Sequence, residues 1–331
     1  MRTAFFSTKS YDLDVFEKVN KSYNHDITFF EARLRTRTAN LTKGYDVICV
    51  FVNDRLDAEC IDKLVENNTK LIALRCAGFN NVDIQYAKEK GIKIMRVPSY
   101  DPHAVAEHAL ALILTLNRKT HKAYNRIREG NFSLERLTGF TLQGKTIGVI
   151  GTGKIGEIFA LTMKGLGCRV YAYDRNEKEN LIETGIKYTS FEKVLMESDI
   201  VSLHCPLTSE TKHIINKKAL EIMKKGSMLI NTSRGGLINT PDVINSLKEN
   251  HLGYLGIDVY EQEEKLFFKD LSETIIQDDI IARLVSFPNV LITAHQAFFT
   301  FEALNEIAST TLQNITDFEN DLSNGNEIII N

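Results

Sequence analysis

No stretch of this 331-residue chain is apolar for long enough to cross a membrane as a helix. The first dozen residues, MRTAFFSTKSYD, lack the apolar core and small-residue cleavage site of a secretory leader, and they read as a first strand. There is no basic tract and the formal net charge is −3, which argues against nucleic acid as the main partner. The five cysteines, Cys49, Cys60, Cys76, Cys168 and Cys205, are scattered, odd in number and without a CxxC pair. They read as reduced, buried thiols of a cytoplasmic protein, not as a disulfide framework. No cluster has zinc-ligand spacing, so no metal is expected. His103 and His108 flank Glu107 in HAVAEH, but this is not HExxH, and five-residue spacing turns the two rings away from a common helix face. They read as packing or hinge residues. Repeats and low-complexity segments are also missing. What remains is ordinary globular composition at a length that accommodates two domains.

Strand and helix signals alternate from end to end, which predicts parallel α/β sheets. The early strand candidates are Arg2–Phe6, Asp26–Phe30, Asp46–Phe51, Lys70–Leu74 and Lys93–Arg96, with helices over Asp54–Asn67 and Val82–Lys90. The pattern breaks at VPSYDP (Val97–Pro102), where two prolines mark a linker. The helix that follows, His103 to Asn117, is apolar on most sides and so belongs between other elements. Later strands are Ile200–Cys205, Met228–Asn231, Tyr254–Val259 and Val290–Thr293. One helix starts at Thr240-Pro241, read as an N-cap followed by proline at the first helical position. A last helix runs from Phe301 to about Leu322, and a short apolar tail, Glu327–Ile330, follows.

In the middle of the chain lies KTIGVIGTGKIG, Lys145 to Gly156. Gly151 allows the tight turn out of a strand. Gly153 has no Cβ to obstruct a pyrophosphate, and Gly156 lets the next helix pack against the sheet. The helix N-terminus, at Lys154 and Ile155, offers N–H groups and a positive dipole end to phosphates. Ile155, Phe159, Thr162 and Leu166 are expected on one helix face, with Gly167 as the stop. A second strand, Arg169 to Tyr173, ends in Asp174, the expected acceptor for the adenosine ribose hydroxyls. A carboxylate there repels a 2′-phosphate and favours NAD over NADP, although Arg175 next to it weakens the argument. The mid-chain position of this motif predicts an inserted nucleotide-binding unit. The chain would then cross between domains near Ser99–His103 and Gln296–Thr300, with a ligand cleft between hinged lobes.

Reduction of a carbonyl calls for a proton donor, a cation for a carboxylate or developing oxyanion, and a placed nicotinamide. Candidates follow the strands of the second unit. Arg234 comes after MLINTS and before two glycines, where a guanidinium can form a bidentate pair with a carboxylate. Four acids, Asp258, Glu261, Glu263 and Glu264, compete in DVYEQEE, and composition alone does not choose among them. His295 ends VLITAH.

KTIGVIGTGKIG, SLHCPLT (Ser202–Thr208), NTSRGGLI (Asn231–Ile238), DVYEQE (Asp258–Glu263) and TAHQAFFT (Thr293–Thr300) occur in that order. Together they resemble the D-isomer-specific 2-hydroxyacid dehydrogenase family. FVND (Phe51–Asp54), LRCAGFNNVD (Leu74–Asp83), VPSYDPHAVAEHA (Val97–Ala109) and NFSLERLTGFTLQGKT (Asn131–Thr146) resemble its fermentative bacterial D-lactate-forming branch. The resemblance implies an α/β fold of two doubly wound parallel sheets. A flavodoxin-like substrate domain (1–100 plus 299–331) would carry an inserted Rossmann NAD-binding domain (101–298). It implies substrate binding by Arg234, acid/base work by His295 and pairing of that histidine with Glu263. It implies NAD contacts at Gly151, Gly153, Lys154, Ile155, Gly156, Asp174, Cys205, Pro206, Thr211, Thr232 and Ser233, with Asp258 near the nicotinamide. Ala77 and Gly78 would hold the substrate carboxylate, and Tyr100 and Phe298 would line the pocket. The implied reaction is reversible reduction of pyruvate, or of a larger 2-keto acid, to the D-2-hydroxy acid in a homodimer or homotetramer. The corepressors that share this fold keep open a second reading, an NAD(H)-sensing binding protein.

Overall fold

The computed structural model describes residues 1–263, 266–268 and 270–329. It divides into two compact units, Met1–Asp101 with Phe299–Asn331, and Pro102–Phe298. Glu264, one of the four competing acids, lies outside the described residues, as does Ile330 of the apolar tail.

In the first unit the strands are β1 (Arg2–Phe5), β2 (Asp26–Phe29), β3 (Val47–Val50), β4 (Leu71–Leu74) and β5 (Lys93–Arg96). They pair in parallel in the order β2-β1-β3-β4-β5, the flavodoxin-like order. Strands β3 and β4 are buried throughout, so they read as unbroken apolar runs with no alternation. Helices α1 (Ser10–Asn20), α2 (Ala58–Glu66) and α3 (Ile84–Glu89) connect them. Each expected early strand but Lys93–Arg96 is a residue or two too long, because the flanking residues turn into loops. Helix α2 starts at Ala58 because Asp57 caps it, its side chain accepting from Cys60 N. The C-terminal helix, Phe301–Glu319, packs on α1, β4 and β5 through Ala303, Ile307, Ala308, Leu312 and Ile315.

In the second unit α4 (Pro102–Arg118) and α5 (Thr120–Arg128) precede a seven-stranded parallel sheet. Its strands are β6 (Thr146–Ile150), β7 (Arg169–Tyr173), β8 (Lys187–Tyr188), β9 (Ile200–Leu203), β10 (Met228–Asn231), β11 (Tyr254–Ile257) and β12 (Val290–Ile292). The order β12-β11-β10-β9-β6-β7-β8 puts a switch point between β6 and β9, and such switch points are where open α/β sheets bind ligands. Period-2 alternation divides the core. Ile147, Val149, Met228 and Ile230 join one cluster, and Ile150, Val201, Leu203, Leu229 and Leu255 the other. Helix α4 is buried along Ala104–Ala106, Ala109, Leu112, Ile113 and Leu116, and it covers α6 (Lys154–Gly165), β10 and β11.

Three local expectations are corrected. The buried face of α6 is Gly156, Phe159, Ala160 and Met163, and Leu166 is exposed. Small residues, not large ones, let this helix sit close to the sheet. Asn239, not Thr240, caps the helix Thr240–Lys248, since the Asn239 side chain accepts from Asp242 N. The two-residue strand β8, too short for any periodicity, was not anticipated.

Candidate active site

The glycine turn is built by two close approaches and one opening. Gly151 has φ +93°, and a Cβ there would lie 2.6 Å from the Cys205 nitrogen. A Cβ on Gly156 would lie 2.0 Å from the Gly151 carbonyl oxygen. At Gly153 a Cβ would meet nothing within 4 Å, and this residue starts α6 with no side-chain cap. Asp174, at the end of β7, accepts from the Thr152 nitrogen at 2.6 Å and from the Asn176 nitrogen at 3.0 Å. Burial raises its carboxyl pKa, and these backbone N–H groups outweigh burial, so the group sits below the usual carboxylate range. Arg175 is paired with Glu210 at the surface.

Beyond β9, burial pushes the His204 imidazole down to about 3, so the ring is neutral. Its Nε2 lies 2.9 Å from Ser202 Oγ. Burial raises the Cys205 thiol to about 11, so it is not a thiolate at neutral pH. The Cys205 carbonyl accepts from Ser233 Oγ at 2.7 Å, and the Pro206 carbonyl accepts from Thr211 Oγ1 at 2.6 Å. Cys205, Pro206, Thr211 and Ser233 thus belong to one interlocked pair of loops. Thr232 Oγ1 is buried beside them without a partner among the described residues.

Arg234 is presented by a turn that fully buried Asn231 organises. The Asn231 side chain donates to the Arg234 carbonyl at 2.8 Å and accepts from the Ser233 nitrogen at 3.0 Å. Among the described residues no carboxylate pairs with the Arg234 guanidinium, whose Nη1 donates to the Ser233 carbonyl at 2.7 Å. Gly235 follows because a Cβ there would lie 2.2 Å from the Tyr260 carbonyl carbon. That contact brings the Arg234 turn against the segment that carries the acids.

The three acids among the described residues separate by partner. Glu261 accepts from His213 at 2.8 Å. Glu263 Oε1 meets His295 Nδ1 at 2.8 Å, while its Oε2 accepts from the Tyr260 nitrogen at 3.0 Å. Because an ionised carboxylate only accepts, the hydrogen belongs on Nδ1, which leaves Nε2 for another partner. Asp258, expected near the nicotinamide, also has an internal task. Its side chain is 1% exposed and accepts from Thr293 Oγ1 at 2.5 Å, the Gln296 nitrogen at 2.9 Å and the Ala297 nitrogen at 2.8 Å. Its carbonyl accepts from the His295 nitrogen at 2.8 Å. Asp258 therefore fastens a turn in which His295 adopts φ 54°, a left-handed conformation that few non-glycine residues hold without support. Phe298 lies edge-on to the ring with centroids 6.5 Å apart.

In the first unit the loop after β4 is braced by two arginines. Buried Arg75 donates to the Phe6 and Ser7 carbonyls at 3.2 and 3.1 Å and faces Asp12 at 3.4 Å. Its guanidinium lies over the Phe5 and Phe51 rings at 4.6 and 4.4 Å. Arg96 Nη1 donates to the Ala77 carbonyl at 2.8 Å. Ala77, Gly78 and Tyr100 are each half-buried. Tyr11 packs edge-on against Phe299 at 4.7 Å, and burial raises its hydroxyl pKa to about 12.

Comparison with known proteins decides the family. Residues 110–297 match the NAD binding domain of the D-isomer specific 2-hydroxyacid dehydrogenases. The D-lactate dehydrogenase of Escherichia coli (strain K12) is 49% identical over 329 residues, 99% of this chain and all of that one. The chain belongs to the D-isomer-specific 2-hydroxyacid dehydrogenase family. Among solved structures, a pyruvate reductase of Chlamydomonas reinhardtii superposes with TM-score 0.95 at 46% identity, covering 98% of each chain. The D-lactate dehydrogenase of Aquifex aeolicus, solved with NAD and lactic acid, superposes with TM-score 0.87 at 34% identity over the full length of both chains.

The residues of this family member fit NAD. The open Gly153 site, the uncapped helix start, the ionised Asp174 and the orphaned Thr232 hydroxyl are the features a bound dinucleotide uses. His108, expected from the sequence to serve packing or a hinge, places its Nε2 3.0 Å from Thr293 Oγ1 and 3.5 Å from Asp258 Oδ1. A polar ring on the buried stripe of an apolar helix was the available signal. Arg75 and Tyr11 were also passed over, since nothing in their local spacing marks them.

Proposed function

We propose that this chain reduces pyruvate to D-lactate with NADH, reversibly, and that Arg234, Glu263 and His295 carry the chemistry. The observation that carries the reading is the His295–Glu263 pair, with Nε2 left to act, next to a turn that holds a guanidinium without a carboxylate partner among the described residues. Gly151, Gly153, Lys154, Ile155 and Gly156 would hold the pyrophosphate, Asp174 the ribose, and the Cys205–Thr211 and Thr232–Ser233 loops the rest of the dinucleotide. NADH, when bound, supplies a hydride.

The Arg234 fork would pair with the substrate carboxylate and polarise the C2 carbonyl. His295 Nε2 would give the C2 oxygen its proton as that oxygen takes up the carbonyl electron pair. Glu263 holds the ring through Nδ1 and stabilises the imidazolium before transfer. The Asp174 carboxylate would repel a 2′-phosphate, and Arg175 beside it pairs with Glu210 at the surface, which favours NADH over NADPH.

We assign the chain to a homo-oligomer. Helix α4 spends its apolar face inside its own unit. The exposed apolar residues Tyr124, Ile127, Phe132 and Leu134 follow it, on α5, which buries no residue, and just beyond. The five buried free cysteines accord with a cytoplasmic setting.

The test is NADH oxidation with pyruvate, 2-ketobutyrate and phenylpyruvate side by side, with chiral analysis of the product. Pyruvate should be preferred and give D-lactate. His295→Ala should lower kcat by about 10²–10⁴ while NADH still binds. Preference for phenylpyruvate would move the reading to a larger substrate, and no turnover with any of the three would favour an NAD(H)-sensing protein.

A further inference from the structure

The turn that carries His295 is fastened by Asp258, and Asp258 is reached from behind by a side chain on a different element. His108, on α4, places Nε2 3.0 Å from Thr293 Oγ1. Thr293 Oγ1 lies 2.5 Å from Asp258 Oδ1. The directions of these bonds follow from the groups themselves. An ionised carboxylate can only accept, so the Thr293 hydroxyl hydrogen points to Asp258. The same hydroxyl must then accept from His108, so the imidazole hydrogen is on Nε2. The result is a directed chain, His108 Nε2–H to Thr293 O–H to Asp258, in which each bond polarises the next.

The far end of this chain is the His295 turn. Asp258 Oδ1 also accepts from the Gln296 nitrogen, Oδ2 accepts from the Ala297 nitrogen, and the Asp258 carbonyl accepts from the His295 nitrogen. Four bonds thus converge on Asp258 from the 293–297 segment, and His108 completes the set from α4. Asp258 is 0% exposed, so water cannot replace a lost donor. A left-handed histidine persists only where its surroundings over-determine it. The backbone there has no regular secondary structure to support it, since β12 ends at Ile292.

We propose that His108 is a positioning residue for the reaction: by donating through Thr293 to Asp258 it holds the left-handed turn that sets His295 opposite the substrate carbonyl. Burial raises the Asp258 carboxyl pKa, and the bonds from His108, Thr293, Ala297 and Gln296 outweigh burial and keep it ionised, as the chain of donors requires. His108 does not touch substrate or reacting atoms in this account. The inference rests on His295 being the proton donor, as argued above.

The test compares two replacements of similar size. Gln retains an N–H donor near the Nε2 position, and Met does not. His108→Met should lower kcat for pyruvate about tenfold, with NADH affinity and pyruvate KM within about twofold of wild type. His108→Gln should recover most of that loss. In a Thr293→Val background the relay is gone and only the 3.5 Å approach to Asp258 remains, so the difference between the Gln and Met variants should shrink, a non-additivity that loss of packing does not produce. Thermal unfolding and an NADH titration show that each variant is folded. Equal activity of His108→Gln and His108→Met in the wild-type background would overturn the proposal and leave His108 a packing residue. Turnover persisting in His295→Ala would overturn the assignment beneath it. Loss of turnover in His295→Ala, with Gln and Met equal at position 108, would overturn the positioning role alone.

Discussion

Replacing Gly153 with alanine separates what the glycine turn does for the fold from what it does for a dinucleotide. The backbone at Gly153 has φ −61° and ψ −165°, an extended conformation that alanine adopts without strain. The added methyl would meet no protein atom within 4 Å. On the unfolded side, alanine in place of glycine stabilises by about 0.4–1 kcal/mol. On the folded side, alanine is a poorer N-cap than glycine by about 0.5–1 kcal/mol. The two terms offset, so Tm should move by no more than about 3 °C for a unit of this size. Binding behaves differently. A phosphate oxygen that accepts from the α6 N-terminus must come within about 2.9 Å of nitrogen, and a methyl on Gly153 stands in its way. Loss of one charge-assisted bond, about 1.5–3 kcal/mol, weakens NADH by roughly 10- to 150-fold. At saturating NADH, kcat should stay within about twofold of wild type, because Arg234, Glu263 and His295 are untouched. NADH fluorescence reads the affinity, and the chain contains no tryptophan to transfer energy to it. Unchanged NADH affinity in a folded Gly153→Ala protein would refute the placement of the pyrophosphate over this residue. Gly156→Ala is the contrast, since its methyl would lie 2.0 Å from a backbone oxygen and must disturb the turn itself.

Arg234→Lys should raise the pyruvate KM at least about tenfold in steady-state kinetics, since a point charge replaces a planar fork. Glu210→Gln releases Arg175, so kcat/KM with NADPH should rise about threefold relative to NADH, and the gain should shrink in high salt. Arg75→Met leaves Asp12 buried beside it without its cation. Burial already raises the Asp12 carboxyl pKa and Arg75 offsets part of this, so chemical denaturation should show a loss of about 3 kcal/mol. A variant as stable as wild type would mean that Asp12 accepts a proton without cost.

The sheets were legible because parallel α/β units alternate strand and helix signals that short windows detect. The glycine turn was legible because its glycines answer separate steric demands, and the structure shows two of them, at Gly151 and Gly156, beside open space at Gly153. Strand ends were less clear, as at Ile200–Cys205, where the ladder stops at Leu203 and the chain turns into a loop although Cys205 stays buried. The face of α6 was misjudged because a glycine and an alanine make its closest contacts, and hydrophobic periodicity gives small residues little weight. Glu263 could not be chosen from composition. The choice depends on which carboxylate folds back onto the Tyr260 nitrogen, a contact that no spacing rule encodes. His108 was missed for a related reason, since its partners lie 150 and 185 positions further along the chain.

The interrupted first unit also has consequences for synthesis. Its strands β1–β5 leave the ribosome early, but the helix that covers β4 and β5 is encoded only after Thr300. The whole of Pro102–Phe298 is made in between, as one continuous stretch. The nucleotide-binding unit can therefore fold first on the nascent chain, while β4 and β5 wait with an apolar face uncovered. Contacts of such long sequence separation form slowly, and exposed strands of this kind are what chaperones bind. The helix Phe301–Glu319 thus ends the exposure of β4 and β5 only after the whole nucleotide-binding unit has been made.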